Sequence, residues 1–236
     1  MNTFFFDLDG TLLPMDQDLF VKTYFKELAN KFVPKGFEAD QLIKAVWAGT
    51  KAMVANDGTM TNEQCFWDTF SNIFSEEVRL LEPEFEKFYL TEFNKVKEIT
   101  SPTPLANICV QMLKEKGYTL ILATNPIFPR VAILARIKWA GLNPDDFELI
   151  TTYENSCYSK PNLEYYRAIL KKIGKGPEKC VMVGNDVKED MCALQLGMNA
   201  FLLNDYVINE DGVDNSQYRQ YSFQDLTEFI KSLPTV

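Results

Sequence analysis

The most constraining feature of the sequence is residues 4–11, FFFDLDGT, where a short apolar run ends in two aspartates and a glycine. An apolar run of this length predicts a strand buried on both faces, as in a parallel sheet covered by helices. Ligands of such sheets bind beyond the carboxyl ends of the strands, where Asp7 and Asp9 would project. An Asx-type turn explains an isolated pair of aspartates equally well. Only partners elsewhere in the chain can therefore assign Asp7 and Asp9 a function.

The chain length of 236 residues allows one large domain, or one domain that carries a substantial insertion. The content of 46% hydrophobic and 24% charged residues is typical of a soluble globular protein. No apolar stretch approaches the ~20 residues that span a bilayer, and no basic region precedes the first apolar run, so we expect no membrane segment and no signal peptide. Five cysteines without a C-x-x-C pair predict reduced thiols and a cytoplasmic protein.

The ionisable residues argue against nucleic-acid binding and against any chemistry that uses histidine. The net charge of −9 argues against nucleic acid as a partner, because binding to the phosphate backbone requires clustered Lys and Arg. The chain contains no histidine, which removes the usual general base and the commonest ligand of transition metals. Any catalysis must therefore use carboxylates, lysine, cysteine, tyrosine or hydroxyl groups.

Helical periodicity dominates residues 15–98. Aromatic and aliphatic residues recur at helical spacing over residues 20–32, and a capping box beginning at Thr61 predicts the start of a third helix. Pro83 suits the first turn of a fourth helix, on which we place Phe93. We therefore expect an inserted helical bundle whose aromatic residues form its core rather than a cofactor site.

The remaining residues, 1–14 and 99–236, are predicted to form the main domain. Helices and strands alternate after residue 99, which is typical of a doubly wound α/β fold with a parallel sheet flanked by helices. The pattern predicts a strand over residues 147–152 and a helix over residues 187–196. The acidic, weakly patterned residues 204–220 are predicted to form a loop.

Polar residues follow the predicted strands, or lie in a loop between a strand and a helix. They are Asp7 and Asp9, Thr124 and Asn125, Lys160, and Asp186 with Asp190. The carboxyl ends of parallel strands share one edge of the sheet, so these groups are expected to converge there. Each has an ordinary explanation as a turn residue, a solvated lysine or an acid at a helix start, but their combination is harder to explain in that way. Pro161 is predicted to lie in the first turn of the helix that follows Lys160.

The order of these groups resembles the four motifs of the haloacid dehalogenase-like hydrolases. That family carries D-x-D-G-T, then Thr or Ser after the second strand, then Lys before a helix, then an acidic pair after the fourth strand. The matching residues are Asp7-Leu8-Asp9-Gly10-Thr11, Thr124-Asn125, Lys160 and Asp186 with Asp190. Residues 15–98 match the position of the family's helical cap, so the resemblance covers the whole chain and implies a Rossmann-like domain with an inserted all-helical cap.

The acidic groups predict a metal site. Asp7, Asp9 and Asp186, brought together, would raise one another's pKa unless a cation is present. Mg²⁺ suits such a site because it binds carboxylates, waters and phosphate oxygens. The resemblance implies coordination by the side chains of Asp7 and Asp186 and by the backbone carbonyl of Asp9. Asn185 stands where many members have an acid, which makes Asp186 the better candidate ligand.

The resemblance also implies an activity, the removal of phosphate from a small phosphorylated metabolite. Asp7 would be the nucleophile that forms an aspartyl-phosphate, and Asp9 would act first as general acid and then as general base. Asp190 and Asn185 are expected to act indirectly, by positioning other groups of the site. Asp190 would orient Lys160 or a metal-bound water. The groups expected to bind the phosphoryl oxygens are Lys160, Thr124, Asn125 and the segment Leu8, Gly10 and Thr11, with its backbone N–H groups.

Several alternatives stay open at this stage. The second aspartate argues against a dehalogenase, which uses one nucleophilic Asp, and no cap lysine can be assigned to the Schiff-base chemistry of phosphonatase-like members. A phosphomutase needs the same four motifs. A non-catalytic binding or regulatory module on the same fold would be expected to have lost Asp7 or Asp9, and both are present. The sequence does not identify the substrate, the cap residues that contact it or the oligomeric state.

Overall fold

The computed structural model, which describes residues 1–236, contains a six-stranded sheet whose strand pairs are all parallel. The order across the sheet is β3-β2-β1-β4-β5-β6, so β1 lies between β2 and β4. The chain changes direction across the sheet at β1, which is the position where open α/β sheets bind ligands. The strands are β1 (Thr3–Phe6), β2 (Thr119–Leu122), β3 (Leu149–Ile150), β4 (Cys180–Gly184), β5 (Asn199–Leu203) and β6 (Arg219–Tyr221).

A helical cap is inserted between β1 and the rest of the sheet. Its helices are α1 (Gln17–Phe32), α2 (Ala39–Val54), α3 (Asn62–Phe74) and α4 (Glu82–Leu90), followed by a 3₁₀ helix (Glu92–Ile99). The predicted capping box is confirmed, because the Thr61 hydroxyl accepts from the Gln64 N–H and the Gln64 side chain accepts from the Thr61 N–H. Phe93 lies on the 3₁₀ helix and not on α4 as predicted. The Thr91 hydroxyl donates to the Lys87 carbonyl at 2.7 Å, a local bond that competes with helix continuation.

Aromatic residues form the core of the cap, as expected, and continue into the main domain. Phe32 stacks on Phe85 with ring centroids 4.0 Å apart. At the junction, Phe20 packs edge-on against Phe128 at 6.2 Å, and Phe93 lies 4.9 Å from Trp139. One cluster of buried apolar side chains therefore runs from the cap into the sheet. The domain boundaries at residues 15 and 98 stay a prediction.

Helices cover both faces of the sheet, which confirms the doubly wound α/β fold. Phe4 and Phe6 on β1 face one buried cluster and Phe5 faces the other, so β1 is buried on both sides as the apolar run predicted. The helices of the main domain are α5 (Pro104–Glu115), α6 (Arg130–Trp139), α7 (Leu163–Ile173) and α8 (Phe223–Ser232). Helices α5, α6 and α8 contribute to the cluster of Phe4, and α7 contributes to the cluster of Phe5.

Four details of the main domain differ from the sequence prediction. The third strand has only two residues. The predicted helix over residues 187–196 is wrong: residues 187–190 form turns, and only a 3₁₀ helix (Met191–Leu196) follows. Within the turns, the Asp190 carboxylate accepts from Lys160 and the Glu189 carbonyl accepts from the Tyr166 hydroxyl. Helix α7 begins after an Asn162 N-cap, so Pro161 precedes the helix. A sixth strand, β6, lies partly within the predicted loop.

Two predictions from the sequence concern the state of the cysteines and the presence of membrane-spanning segments. All five cysteines are free thiols, and Cys109, Cys180 and Cys192 are buried. No helix combines the length and the apolar character that a bilayer span requires.

Candidate active site

The carboxyl ends of β1, β2 and β4 open into a cavity of about 1760 Å³ between the sheet and the cap. Of the residues predicted for the site, those that line this cavity are Asp7, Asp9, Thr124, Asn125, Lys160, Asn185, Asp186 and Asp190. Leu8, Gly10 and Thr11 do not line it. The fold thus brings residues from four distant parts of the chain to one place, as the parallel sheet predicts.

Asp7 directly follows β1 and is nearly buried. Its N–H continues the sheet by donating to the Val183 carbonyl at 2.9 Å. One carboxylate oxygen, Oδ1, accepts from Nζ of Lys160 at 2.9 Å, and the other has no hydrogen-bond partner. Burial raises the pKa of Asp7 to about 7, although the Lys160 charge opposes that rise. A carboxylate with one free oxygen in the cavity is suited to act as nucleophile or metal ligand.

Lys160 is completely buried between two carboxylates. Its Nζ donates to Asp7 and, at 2.6 Å, to Oδ1 of Asp190. Burial alone would lower the pKa of Lys160, but the charges of Asp190 and Asp7 raise it well above its ordinary value. The ammonium group therefore stays protonated. The expected contact between Asp190 and Lys160 is present, and the other Asp190 oxygen accepts from the Asp186 N–H at 3.0 Å.

The loop after Asp7 leaves two backbone donors free. The N–H groups of Leu8 and Asp9 donate to no acceptor in the protein. By contrast, the Gly10 N–H donates to the Leu13 carbonyl at 2.9 Å, and the Thr11 N–H donates to the Leu8 carbonyl at 3.2 Å. Free N–H groups beside a nucleophile can bind the oxygens of a phosphoryl group. The N–H groups of Leu8 and Asp9 are thus free for an acceptor, whereas those of Gly10 and Thr11 are used within the loop, and phosphate binding by Leu8, Gly10 and Thr11 stays a prediction.

Gly10, Thr11 and Asn185 instead hold this loop in shape. Gly10 has a φ of +81°, and a Cβ at this position would lie 2.3 Å from Nδ2 of Asn185. The Thr11 hydroxyl donates to Oδ1 of Asn185 at 2.8 Å, and Nδ2 of Asn185 donates to the Tyr206 carbonyl at 2.7 Å. The D-x-D-G-T segment therefore needs Gly at position 10 so that Asn185 can approach the backbone.

Neighbouring loops hold the side chain of Asn125, and helix α7 holds the backbone of Thr124. Asn125 Oδ1 accepts from the Lys160 N–H at 3.3 Å, and its Nδ2 donates to Oε1 of Glu189 at 2.8 Å. Burial raises the pKa of Glu189 to about 8, so this carboxyl group adds little negative charge at neutral pH. The Thr124 carbonyl accepts from Tyr165 at 2.9 Å. Glu189 is a cavity residue that the sequence analysis missed.

Arg136 is the second functional candidate that the sequence analysis missed. It lies on α6, and its Nη1 donates to Oδ2 of Asp9. Burial raises the pKa of Asp9, and the neighbouring Arg136 opposes that rise. Ala132, Ile133 and Ile137 share the buried face of α6 with Arg136. A lone arginine at helical spacing among apolar residues was the available sequence signal, because a charge on a buried face requires a partner.

The oxygen atoms around Asp7 fit Mg²⁺. No three Asp, Glu, His or Cys side chains form a metal-binding group by themselves. The Asp9 carbonyl, however, accepts no backbone hydrogen bond, and Asp7 and Asp186 each have one carboxylate oxygen without a partner. Two carboxylates and a carbonyl are hard oxygen donors of the kind that Mg²⁺ prefers, with waters or phosphate completing its coordination. Arg136 engages the Asp9 carboxylate through Oδ2, and the carbonyl is the Asp9 atom that the family resemblance assigns to the metal.

The side chain of Asn62, in the cap, contacts two loops of the site. Asn62 is completely buried at the start of α3, and its Nδ2 donates to the Pro126 carbonyl and to the Ser159 hydroxyl. Pro126 follows Asn125, and Ser159 precedes Lys160. The cap is therefore hydrogen-bonded to the two loops that carry Asn125 and Lys160. A single asparagine after an N-cap gave no indication of this contact in the sequence.

Aromatic side chains line part of the cavity. The side chain of Trp47 on α2 is 49% exposed, and its ring lies 5.4 Å from that of Phe25. The aromatic residues that line the cavity are Phe20, Tyr24, Phe25, Trp47, Phe66, Trp67, Phe85, Tyr89, Phe128, Trp139 and Tyr153. Part of the aromatic content of the cap thus faces the site as well as the cap core.

Comparisons with known proteins identify the family to which the chain belongs. Residues 1–196 match the model of the haloacid dehalogenase-like hydrolases. The chain is 27% identical over 201 residues to a glyceraldehyde 3-phosphate phosphatase of Methanothermobacter thermautotrophicus, covering 85% of this chain and 84% of that protein. It is 26% identical over 188 residues to the pyrophosphatase PpaX of Bacillus pumilus, covering 79% of this chain and 75% of PpaX. The fold is similar to the crystal structure of a HAD phosphatase from Thermococcus onnurineus, with a TM-score of 0.65, 21% identity and complete coverage of both chains.

Proposed function

The chain belongs to the haloacid dehalogenase-like hydrolase family, and within it we propose a Mg²⁺-dependent phosphatase that acts on a small phosphorylated metabolite. One observation carries this proposal. Asp7 presents a free carboxylate oxygen beside the Lys160 ammonium group and the unused N–H groups of Leu8 and Asp9. A nucleophile surrounded by donors for anionic oxygens is the arrangement that phosphoryl transfer requires.

Mg²⁺ would be held by the carboxylates of Asp7 and Asp186 and by the Asp9 carbonyl. When bound, it supplies positive charge that offsets the charges of the carboxylates and of the phosphoryl oxygens. Lys160 adds a fixed positive charge 2.9 Å from Asp7 and so favours the ionised, nucleophilic form of that carboxylate. Nζ of Lys160 donates a hydrogen bond of 2.6 Å to Oδ1 of Asp190, which fixes the position of the ammonium group.

In the first half of the reaction, Asp7 attacks phosphorus through a carboxylate oxygen. A phosphorus–oxygen bond to Asp7 forms, and the phosphorus–oxygen bond to the leaving group breaks with its electron pair moving to the leaving oxygen. That oxygen takes the proton held by Asp9. The products are an aspartyl-phosphate and the free alcohol.

In the second half, water attacks the phosphorus of the aspartyl-phosphate. Asp9, now deprotonated, takes a proton from this water, so the same group acts first as acid and then as base. The bond between phosphorus and Asp7 breaks, and inorganic phosphate leaves. The N–H groups of Leu8 and Asp9 are available to the phosphoryl oxygens in both halves.

A small phosphorylated metabolite is the proposed substrate class. The names of the two relatives point to a triose phosphate and to pyrophosphate as compounds to include in a test. The five free thiols support a cytoplasmic location, which stays a prediction.

The test is phosphate release from a panel of sugar phosphates, triose phosphates, nucleotides, phospho-acids and pyrophosphate, with Mg²⁺ and with EDTA. We expect release from at least one compound, only with Mg²⁺. Asp7→Asn should abolish release while the circular dichroism spectrum is unchanged. Asp145→Asn, the same change at an exposed position, should have no effect.

Two outcomes would contradict the proposal. Folded wild-type protein that releases phosphate from no compound would favour a binding or regulatory module. Conversion of a sugar monophosphate into its isomer without net phosphate release, dependent on a bisphosphate activator, would identify a phosphomutase instead.

A further inference from the structure

Arg136 is the most deeply buried cation outside the pair of Asp7 and Lys160. Its side chain is 1% exposed, and its only charged contact is from Nη1 to Oδ2 of Asp9. Burying an arginine costs free energy unless it is paired, and a surface position on α6 would have avoided that cost. The position of Arg136 is therefore explained by Asp9 rather than by the packing of α6.

Aromatic rings hold the guanidinium group in place. Its carbon Cζ lies 4.3 Å from the ring centroid of Phe128 and 5.8 Å from that of Phe20. Nε donates to the Ala132 carbonyl at 3.4 Å, within the same helix. Phe128 belongs to the loop after β2 and Phe20 belongs to α1 of the cap. Contacts of this cation–π type restrict the orientation of a guanidinium group, so Arg136 is a rigid support.

The contact between Arg136 and Asp9 joins only one atom of each group. Oδ1 of Asp9 and Nη2 of Arg136 are both buried and have no hydrogen-bond partner in the protein. An arginine and a carboxylate usually form two parallel hydrogen bonds, and buried polar atoms without a partner are rare. The unpartnered Oδ1 lies on a residue that lines the cavity, two positions after the nucleophile.

We propose that Arg136 is a positioning residue that anchors Asp9 through Oδ2 and so fixes the direction of its carboxyl group beside a substrate bound at Asp7. This inference rests on the proposed phosphatase function. In the first half-reaction the proton moves from the Asp9 carboxyl group to the leaving oxygen, and in the second half the Asp9 carboxylate takes a proton from the attacking water. Arg136 contacts neither substrate nor water and acts only by fixing the direction of Asp9.

The leaving group of the substrate provides the test. An alkyl phosphate releases a strongly basic alkoxide that needs the proton of Asp9, whereas 4-nitrophenyl phosphate releases a stable phenolate that needs none. We expect Arg136→Met to lower kcat/KM, which reports only the steps up to the aspartyl-phosphate, about 100-fold for the best alkyl phosphate of the panel, within the contribution of a positioned acid. For 4-nitrophenyl phosphate the loss of kcat/KM should be less than about threefold. Hydrolysis of the aspartyl-phosphate is common to both compounds and should slow equally for both, so the comparison uses kcat/KM rather than kcat.

Two further variants separate positioning from folding. Arg136→Lys keeps the charge and should recover part of the alkyl phosphate activity. In an Asp9→Asn background, Arg136→Met should cause no further loss, because the group that it orients is no longer an acid. This double variant also avoids an unpaired buried carboxylate, so it should fold even if Arg136→Met alone does not. Arg167→Met, at an exposed arginine on α7, is the control that should leave both activities unchanged.

Equal losses of kcat/KM for the alkyl and the nitrophenyl substrates in Arg136→Met would overturn the inference, as would no loss of kcat/KM for the alkyl phosphate. A further large loss on adding Arg136→Met to Asp9→Asn would do the same. These results differ from failure of the proposed function, in which the wild-type protein itself would release no phosphate from any compound.

Discussion

Asn62 donates a hydrogen bond of 3.0 Å to the hydroxyl of Ser159, the residue before Lys160. The same amide group donates to the Pro126 carbonyl at 2.9 Å, and Oδ1 of Asn62 accepts from Nδ2 of Asn56 at 2.8 Å. One buried side chain of the cap thus supports both loops that carry the phosphate-binding candidates of the main domain.

We expect Asn62→Ala to lower the free energy of unfolding by about 2 kcal/mol, because buried partners lose their hydrogen bonds. It should also lower kcat, since the loops before Lys160 and after Asn125 lose their common support. Urea denaturation and phosphate release measure the two effects. Asn72→Ala, at an exposed position on the same helix, should change neither, and wild-type stability of Asn62→Ala would contradict this role.

Lys160→Met should abolish activity and destabilise the protein by about 3–5 kcal/mol, the usual effect of removing one partner of a buried ion pair. Asp7 and Asp190 would then face each other without a cation. Adding Asp190→Asn removes one of these charges, so the double variant should regain stability but no activity. If the double variant were active, Lys160 would have no direct role in binding phosphate.

Magnesium should stabilise the folded protein. A ligand present at about 100 times its dissociation constant adds about 2.7 kcal/mol to the free energy of unfolding, which raises the melting temperature. Asp186→Asn removes one proposed ligand and should reduce this shift, and Asp7→Asn should do the same. Asp211→Asn, at an exposed position in the acidic residues 204–220, should leave the magnesium-induced shift in melting temperature unchanged. Equal shifts in all the variants would place magnesium binding outside this site.

Gly10→Ala should destabilise the protein more than Gly141→Ala. Both glycines have positive φ, +81° and +73°, so both substitutions carry the backbone cost of about 1–2 kcal/mol. Only at Gly10 would the added Cβ meet Asn185, at 2.3 Å, whereas nothing lies within 4 Å at Gly141. Gly10→Ala should also lower kcat, because the loop of Asp9 must shift. Equal melting temperatures for the two variants would show that Asn185 adapts at no cost.

Trp47→Ala should raise KM about tenfold, equivalent to ~1.4 kcal/mol of lost contact, and leave kcat nearly unchanged. Trp47 is half exposed in the cavity wall, away from the residues that carry out the proposed chemistry. Steady-state kinetics with the best substrate of the panel provide the measurement. Leu80→Ala removes an exposed apolar side chain outside the cavity and should change neither constant.

The sequence predicted the architecture well because its signals were local and repeated. The apolar run before Asp7, the helical spacing of the cap and the capping box at Thr61 each depend on neighbouring residues. Where a tertiary contact decides the structure, prediction failed. The Asp190 carboxylate accepts from Lys160 and the Glu189 carbonyl accepts from the Tyr166 hydroxyl, and the predicted helix is replaced by turns and a 3₁₀ helix.

The same distinction applies to the site. Parallel strand ends bring Asp7, Asn125 and Asp186 together, so their proximity follows from the fold class. The partners of Asp9 and Asn62 come from α6 and from two loops. The spacing of residues on α6 indicates a buried charge but does not identify its partner, and no spacing indicates the contacts of Asn62. A sequence motif does not reveal the conformation of a loop. It therefore cannot tell whether Gly10 binds a phosphoryl oxygen through its N–H or only leaves space for Asn185.

The aromatic core that runs from the cap into the main domain limits how new specificities can arise. Phe20 and Phe93 of the cap pack against Phe128 and Trp139, so transplanting a foreign cap would open a void beneath Arg136. Recombination of whole caps is therefore a poor route to new substrates for this lineage. Point changes at exposed wall residues such as Trp47 leave that shared core intact, and they offer the accessible path for divergence.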